Sequence, residues 1–217
     1  MGSKLNVVIV DYDKGNIKSL ENAINHVGDF DIKITADSDL ILRADIIILP
    51  GVGAFPDAMQ KLKERNVLSV LHEAVMTNKT PTLGICLGMQ LLFDSSEEKV
   101  LTDGLGWIPG KVVHMETLSN LRVPHIGWNS LILNKHDVLF SFLDHDKDFY
   151  FVHSFYVKCD DSYVLAKFQY GDAMVAAVRK DNIVGMQFHP EKSQKNGLIA
   201  LRSFFDWAQS RKSTHHA

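Results

Sequence analysis

Thr82-Leu83-Gly84-Ile85-Cys86-Leu87-Gly88-Met89-Gln90 passes from an apolar run into a helical pattern through a cysteine flanked by glycines. Thr82 to Ile85 reads as a short buried strand, and Leu87 to about Phe93 as a helix. Cys86 stands at the junction, with Gly84 two residues before it and Gly88 two after. This is the Gly-x-nucleophile-x-Gly spacing of a strand-to-helix elbow. Side chains at the flanking positions would collide in so tight a turn, which suits glycine. The elbow lifts the sulfur out of the sheet and places it at a helix N-terminus, whose partial positive charge favours an anion. The competing reading is a small buried residue at a strand end, since free cysteine is among the most buried residue types.

Upstream of the elbow, short apolar runs alternate with amphipathic ones. Val7 to Val10 reads as a strand. Ile17, Leu20, Ile24 and Val27 fall at helical spacing, with Asn16 placed to cap the start. Ile32 to Thr35 and Ala44 to Leu49 are further strands. Ala54 to Leu62 and Val67 to Val75 read as helices. This β-α-β-α rhythm implies a parallel sheet with helices on both faces. Downstream, Phe149 to Val157, Tyr163 to Phe168, Ala173 to Val178 and Ile183 to Phe188 are close-set strands. Asp181-Asn182 marks a hairpin between the last two. Leu198, Leu201, Phe205 and Ala208 share one face of a final helix. One α/β domain over residues 1–211, with an added antiparallel portion, accounts for the pattern. Residues 212–217 are expected to be a disordered tail.

The 217 residues include 46% apolar and 23% charged side chains, with a net charge of -3, which excludes the basic footprint of a nucleic-acid binder. No apolar run reaches the ~18 residues that span a bilayer, and no signal peptide precedes the first strand, so a cytoplasmic protein is expected. Two cysteines, Cys86 and Cys159, make no disulfide framework. No metal or cofactor is implied.

A thiol nucleophile needs a base, and the base an orienting group. Of ten histidines, His26, His72, His136 and His145 sit among polar neighbours, and the pair in the tail forms no metal site. His114, His125 and His153 lie in or beside apolar segments and are harder to set aside. His189 follows the strand ending at Phe188 and opens His189-Pro190-Glu191-Lys192-Ser193. Strand ends are where α/β sheets present functional groups. Glu191 is placed to accept a hydrogen bond from the ring. Read alone, a surface turn explains His189 equally well; joined to the elbow, Cys86, His189 and Glu191 form a coherent triad. An oxyanion hole would take one N–H from Leu87. Pro50-Gly51-Val52-Gly53, directly after the Ile46–Leu49 strand segment, is placed to supply a second.

These three segments, in this order, resemble the class I glutamine amidotransferases. Asp11-Tyr12 with Gly15-Asn16, Val123-Pro124-His125-Ile126-Gly127-Trp128-Asn129 and Tyr150-Phe151-Val152-His153-Ser154-Phe155 are similar to the glutaminase subunits of imidazole glycerol phosphate synthase. The resemblance spans essentially the whole chain. It implies a flavodoxin-like open mixed sheet with an antiparallel C-terminal portion. It implies hydrolysis of L-glutamine to glutamate and ammonia through a Cys86 thioester. Leu87, Val52 and Gly53 would form the oxyanion hole, and Gly51, Gly53, Gln90, Ser154 and Phe155 would hold glutamine. Ammonia would pass to a (β/α)8-barrel cyclase in a heterodimer, with Asn16, Trp128 and Lys192 toward that partner. The cyclase would yield imidazole glycerol phosphate and an aminoimidazole carboxamide ribotide. Glutaminase activity would stay low until the cyclase and its ligand are present. Asp13 and Lys14 depart from the usual pattern near the partner face. The same chemistry serving another acceptor, such as surface-sugar amidation, is therefore an alternative. A flavodoxin-like cysteine peptidase or sensor is a third.

Overall fold

The computed structural model describes residues 4–13, 16–115, 122–141 and 147–214. The first half follows the expected alternation: β1 (Asn6–Val10), α1 (Ile17–Val27), β2 (Asp31–Thr35), α2 (Ser38–Leu42), β3 (Ile46–Leu49), α3 (Phe55–Glu64), α4 (Leu68–His72), β4 (Thr82–Ile85) and α5 (Leu87–Leu91). The α4 helix continues as a wider π turn over Glu73–Thr77. Asn16 occupies the N-cap position of α1, yet its side chain makes no capping bond. The short α2 helix escapes a reading based on periodicity because five residues hold little more than one turn. The Asp37 carboxylate caps it by accepting from the Leu40 N–H at 2.9 Å.

The second half contains more strands than the sequence patterns suggest. These are β5 (Phe93–Ser96), β6 (Thr102–Asp103), β7 (Ile108–His114), β8 (His125–Ser130), β9 (Ile132–Leu133), β10 (Asp148–His153), β11 (Phe155–Cys159), β12 (Val164–Tyr170), β13 (Asp172–Lys180) and β14 (Ile183–Met186), followed by α6 (Gln194–Thr214). Phe93 opens a strand and does not end a helix. The apolar run Phe149–Val157 is two strands in different sheets, broken at Ser154: β10 pairs with β8, and β11 with β7. The backbone of α6 runs to Thr214, beyond the expected domain end at 211; residues 215–217 of the expected tail lie outside the described residues.

The main sheet has the order β2-β1-β3-β4-β14-β13-β12-β9. β2, β1, β3, β4 and β14 are mutually parallel, and β13, β12 and β9 extend the sheet antiparallel. This is the expected open mixed α/β sheet with an antiparallel C-terminal portion.

Alternation along the central strands divides the core in two. Val7, Ile9, Ile46 and Ile48 pack on one face with α1 and α6, through Leu20, Ile24, Phe204 and Phe205. Val8, Val10, Ile47 and Leu49 pack on the other with α3 and α4, through Phe55, Leu62 and Leu71. Strands buried on both faces read as continuous apolar runs, which is how β1 and β3 read. β4 and β14 pair side by side and parallel, so the loops leaving their C-terminal ends lie close together. No helix among the described residues is long and apolar enough to cross a membrane.

Candidate active site

Cys86 joins β4 to α5 with φ 52° and ψ -110°. A non-glycine residue at positive φ is strained, and such strain persists only where the surroundings enforce it. Two close approaches enforce it here. A Cβ added at Gly84 would lie 2.7 Å from the Gly88 carbonyl oxygen, and one at Gly88 would lie 1.9 Å from the Leu49 carbonyl oxygen. Only glycine lets the helix start so close to the strands. The Cys86 N–H donates to the Met186 carbonyl at 2.8 Å, tying the elbow to β14. The sulfur is largely buried, 3.9 Å from the Val152 carbonyl oxygen and 3.7 Å from Nε2 of Gln187.

His189 arrives from β14. Its N–H donates to the Tyr150 carbonyl at 2.9 Å. Ser193 Oγ donates to the His189 carbonyl at 2.7 Å and accepts from the Tyr150 N–H at 3.0 Å. The loop is therefore clamped against β10. His189 Nδ1 lies 2.8 Å from Oε1 of Glu191, so Nδ1–H is the donor to the carboxylate. Burial by itself would depress the imidazole. The hydrogen bond to Cys86 and the Glu191 carboxylate outweigh it and push His189 up to about 10.

Cys86 and His189 line one cavity of about 440 Å³. Leu87, Val52, Gly53, Gln90, Ser154, Phe155 and Lys192 also border it. Val52 is exposed and Gly53 has φ 103°. The Tyr12 hydroxyl donates to the Pro50 carbonyl at the root of this loop. Gly51 lies apart from the cavity: a Cβ there would sit 2.7 Å from the Tyr12 hydroxyl and 2.9 Å from the Gly88 nitrogen. It borders a smaller cleft with Asn16, His189 and Glu191. The Ser154 carbonyl accepts from the Met115 N–H at 3.0 Å, and the Phe155 carbonyl accepts from Gln90 Nε2 at 3.0 Å.

Trp128 is exposed on β8, with its ring centroid 6.0 Å from that of Tyr150. Lys192 Nζ lies 5.8 Å from the same tyrosine ring, so Trp128 and Lys192 share one surface beside the cavity. Asn16 is exposed at the start of α1. Asp13, one of the two unusual residues, pairs with Arg65 at 2.6 Å; Lys14 lies outside the described residues.

The other candidate histidines take different places. His114 packs edge-on against Phe155, with ring centroids 4.7 Å apart. His125 and His153 form a buried pair, with Nδ1 of His125 3.3 Å from Nε2 of His153. Burial pushes His153 down to about 3, despite its bond to the Phe155 carbonyl, and it also depresses His125. Both rings are neutral at ordinary pH. Sequence reasoning missed Gln187. It lies two residues before His189, and a buried polar residue at that spacing was the available signal.

The sequence profile of the family "Glutamine amidotransferase class-I" matches residues 8–206. The chain belongs to this family. The amidotransferase is 60% identical over 208 residues to "Imidazole glycerol phosphate synthase subunit HisH 2" of Vibrio vulnificus (strain YJ016), covering 96% of this chain and 97% of that one. It is 46% identical over 198 residues to "Imidazole glycerol phosphate synthase subunit HisH 1" of Campylobacter jejuni (strain RM1221), covering 91% and 98%. Among solved structures, a putative GMP synthase protein of Thermoplasma acidophilum superimposes with a TM-score of 0.74 at 19% identity, covering 100% of both chains. PurLQS from Thermotoga maritima gives 0.72 at 18%, covering 94% of this chain and 99% of that one. These two structural likenesses speak for the fold alone.

Proposed function

We propose that the chain is the cytoplasmic glutaminase subunit of an imidazole glycerol phosphate synthase, hydrolysing L-glutamine and passing ammonia to a (β/α)8-barrel cyclase in a heterodimer. The observation that carries this reading is Cys86 and His189 on adjacent strand ends, facing one cavity, within a chain 60% identical to such a subunit over nearly its whole length.

The Cys86 thiolate attacks the side-chain carbonyl carbon of glutamine. The N–H groups of Leu87 and of Val52 or Gly53 receive the oxyanion. Removing one such donor typically costs ~2.7–4 kcal/mol of transition-state stabilisation. As the C–N bond breaks, the His189 imidazolium gives its proton to the departing ammonia. The neutral ring then takes a proton from water, whose oxygen attacks the thioester. The C–S bond breaks, glutamate leaves and the sulfur recovers its charge. Glu191 holds the ring in one orientation throughout. Gly51, Gly53, Gln90, Ser154 and Phe155 are the residues we assign to holding glutamine. Gly51 does so by shaping the loop, since it lies behind the cavity. Asn16, Trp128 and Lys192 face the cyclase.

Asp13 favours one other reading, the same chemistry serving a different acceptor enzyme. The two are separated by mixing the protein with a histidine-pathway cyclase and its ribotide. A rise in glutamine turnover that requires both supports the proposal. Unchanged turnover favours another acceptor.

A further inference from the structure

We propose that Gln187 is a catalytic residue of this site, whose side-chain amide N–H holds the negative charge of the Cys86 sulfur both before attack and after the thioester breaks. The inference rests on Cys86 being the nucleophile of the function proposed above, and it adds a residue that neither the triad nor the oxyanion hole contains.

An amide side chain can be turned either way, so a nitrogen 3.7 Å from a sulfur says little by itself. Here the direction is fixed from elsewhere. The Phe155 carbonyl can only accept. It accepts from Gln90 Nε2 at 3.0 Å, so the Gln90 amide must point its nitrogen that way. The same Nε2 lies 3.1 Å from Oε1 of Gln187 and supplies its second proton there. Gln187 must therefore turn its oxygen to Gln90 and its nitrogen to Cys86.

A second chain of contacts reinforces the anchor. His153 Nδ1 donates to the Phe155 carbonyl at 2.7 Å, so its Nε2 is left to accept from His125 Nδ1–H at 3.3 Å. Gln187 is fully buried and Gln90 nearly so. Rearrangement would leave a buried polar group unpaired, which typically costs more than a hydrogen bond contributes. The amide is thus preorganised toward the sulfur.

The chemistry has a use for such a donor at two moments. Attack forms the S–C bond from a charged sulfur, while the C–N bond breaks and ammonia takes the proton from His189. Hydrolysis forms a new C–O bond, breaks the S–C bond and returns the electron pair to the sulfur. The sulfur is anionic at the start and at the end. Between those points it is a neutral thioester sulfur and a weaker acceptor. A fixed N–H favours the charged states.

The competing role for Gln187 is to position Gln90 alone. Two substitutions separate the roles. Gln187→Met fills a similar volume but removes both the donor and the acceptor offered to Gln90. Gln187→Glu keeps an acceptor for Gln90 and, when ionised, offers the sulfur no donor. The readout is the rate of Cys86 alkylation by iodoacetamide across pH, which needs neither glutamine nor a cyclase. We expect alkylation at pH 7 to slow about tenfold in Gln187→Met, with its rate profile displaced to higher pH, and the Gln187→Glu profile to be displaced likewise once its buried carboxyl ionises. Unchanged profiles in both variants overturn the proposal, as does a displaced Gln187→Met profile beside a Gln187→Glu profile unchanged over the alkaline range, where the carboxyl is ionised and offers no donor. Should neither variant fold, the unaltered protein decides by NMR. The Gln187 side-chain amide resonance shifts when Cys86 is alkylated if the contact exists, and a resonance that does not move overturns it. Failure to alkylate Cys86 in the unaltered protein removes the nucleophile itself, and with it both proposals.

Discussion

His189 sets Nδ1 2.8 Å from Oε1 of Glu191 and keeps its other nitrogen, Nε2, buried on the side of the ring toward Cys86. The carboxylate thus determines which nitrogen carries the fixed proton, and in the proposed mechanism Nε2 is the one that moves it. Gln at position 191 could still accept from Nδ1–H, but it would not balance the imidazolium charge. Hydrogen bonds to charged groups contribute roughly 1.5–3 kcal/mol. Glu191→Gln should therefore lower glutamine turnover by roughly 10- to 100-fold, less than Cys86→Ala, which removes the nucleophile. Equal losses in a cyclase-activated assay would mean that Glu191 does more than orient the ring.

The protonation of His189 depends on its neighbours. With burial opposing the charge, Cys86 and Glu191 together raise the ring to about 10. A raised value means that the folded protein holds this proton more tightly than the unfolded chain. The associated stabilisation is thus present below the ordinary imidazole range and is lost as pH rises through about 10. In Cys86→Ala the main attractive partner is gone, and His189 should lose its proton at distinctly lower pH. Nitrogen-15 NMR of the histidine rings reads this directly. Superimposable His189 titrations in the two proteins would refute the influence of Cys86 on the ring.

His153 carries the opposite sign. Burial depresses it from 6.5 to about 3, so the unfolded chain binds a proton that the folded protein rejects. Its effect on stability is neutral above pH 6.5 and turns against the folded state as pH falls from there toward 3. His153→Asn should therefore lose less stability on acidification than the unaltered protein. Melting temperatures compared at about pH 7 and about pH 4.5 test this, and parallel acid losses would count against it.

Gly88 lies where a single methyl group would lodge 1.9 Å from the Leu49 carbonyl oxygen. The obstacle is backbone in the central sheet, which cannot turn aside as a side chain can. Gly88→Ala should cost about 4 kcal/mol or more, corresponding to a fall of ~10 °C in melting temperature for a domain of this size. A melting temperature within about 2 °C of the unaltered protein's would contradict the close approach.

The elbow was legible because chemistry and sterics leave few alternatives there. Glycine at 84 and 88 and a cysteine at 86 already specify a strand, a tight turn and a helix. The placement of His189 and Glu191 was legible for a related reason, since both follow a strand end. The antiparallel part was harder. The run Phe149–Val157 carries no turn signal, yet its backbone changes sheets at Ser154 because β8 and β7 present separate edges to pair with. β6 and β9 are two residues long and have no periodicity to detect. The buried pair His125–His153 could not be told from catalytic histidines in the sequence, because pairing is a property of the folded register. In that register His125 lies directly opposite His153.

In the proposed function, Cys86 attacks glutamine. A glutamine-like diazo-ketone, which alkylates a nucleophile only after occupying a glutamine site, tests this most directly. In the presence of the cyclase, peptide mapping should find a single adduct on Cys86, and an excess of L-glutamine should protect against it. An adduct elsewhere, or none at all with the cyclase present, would contradict the account.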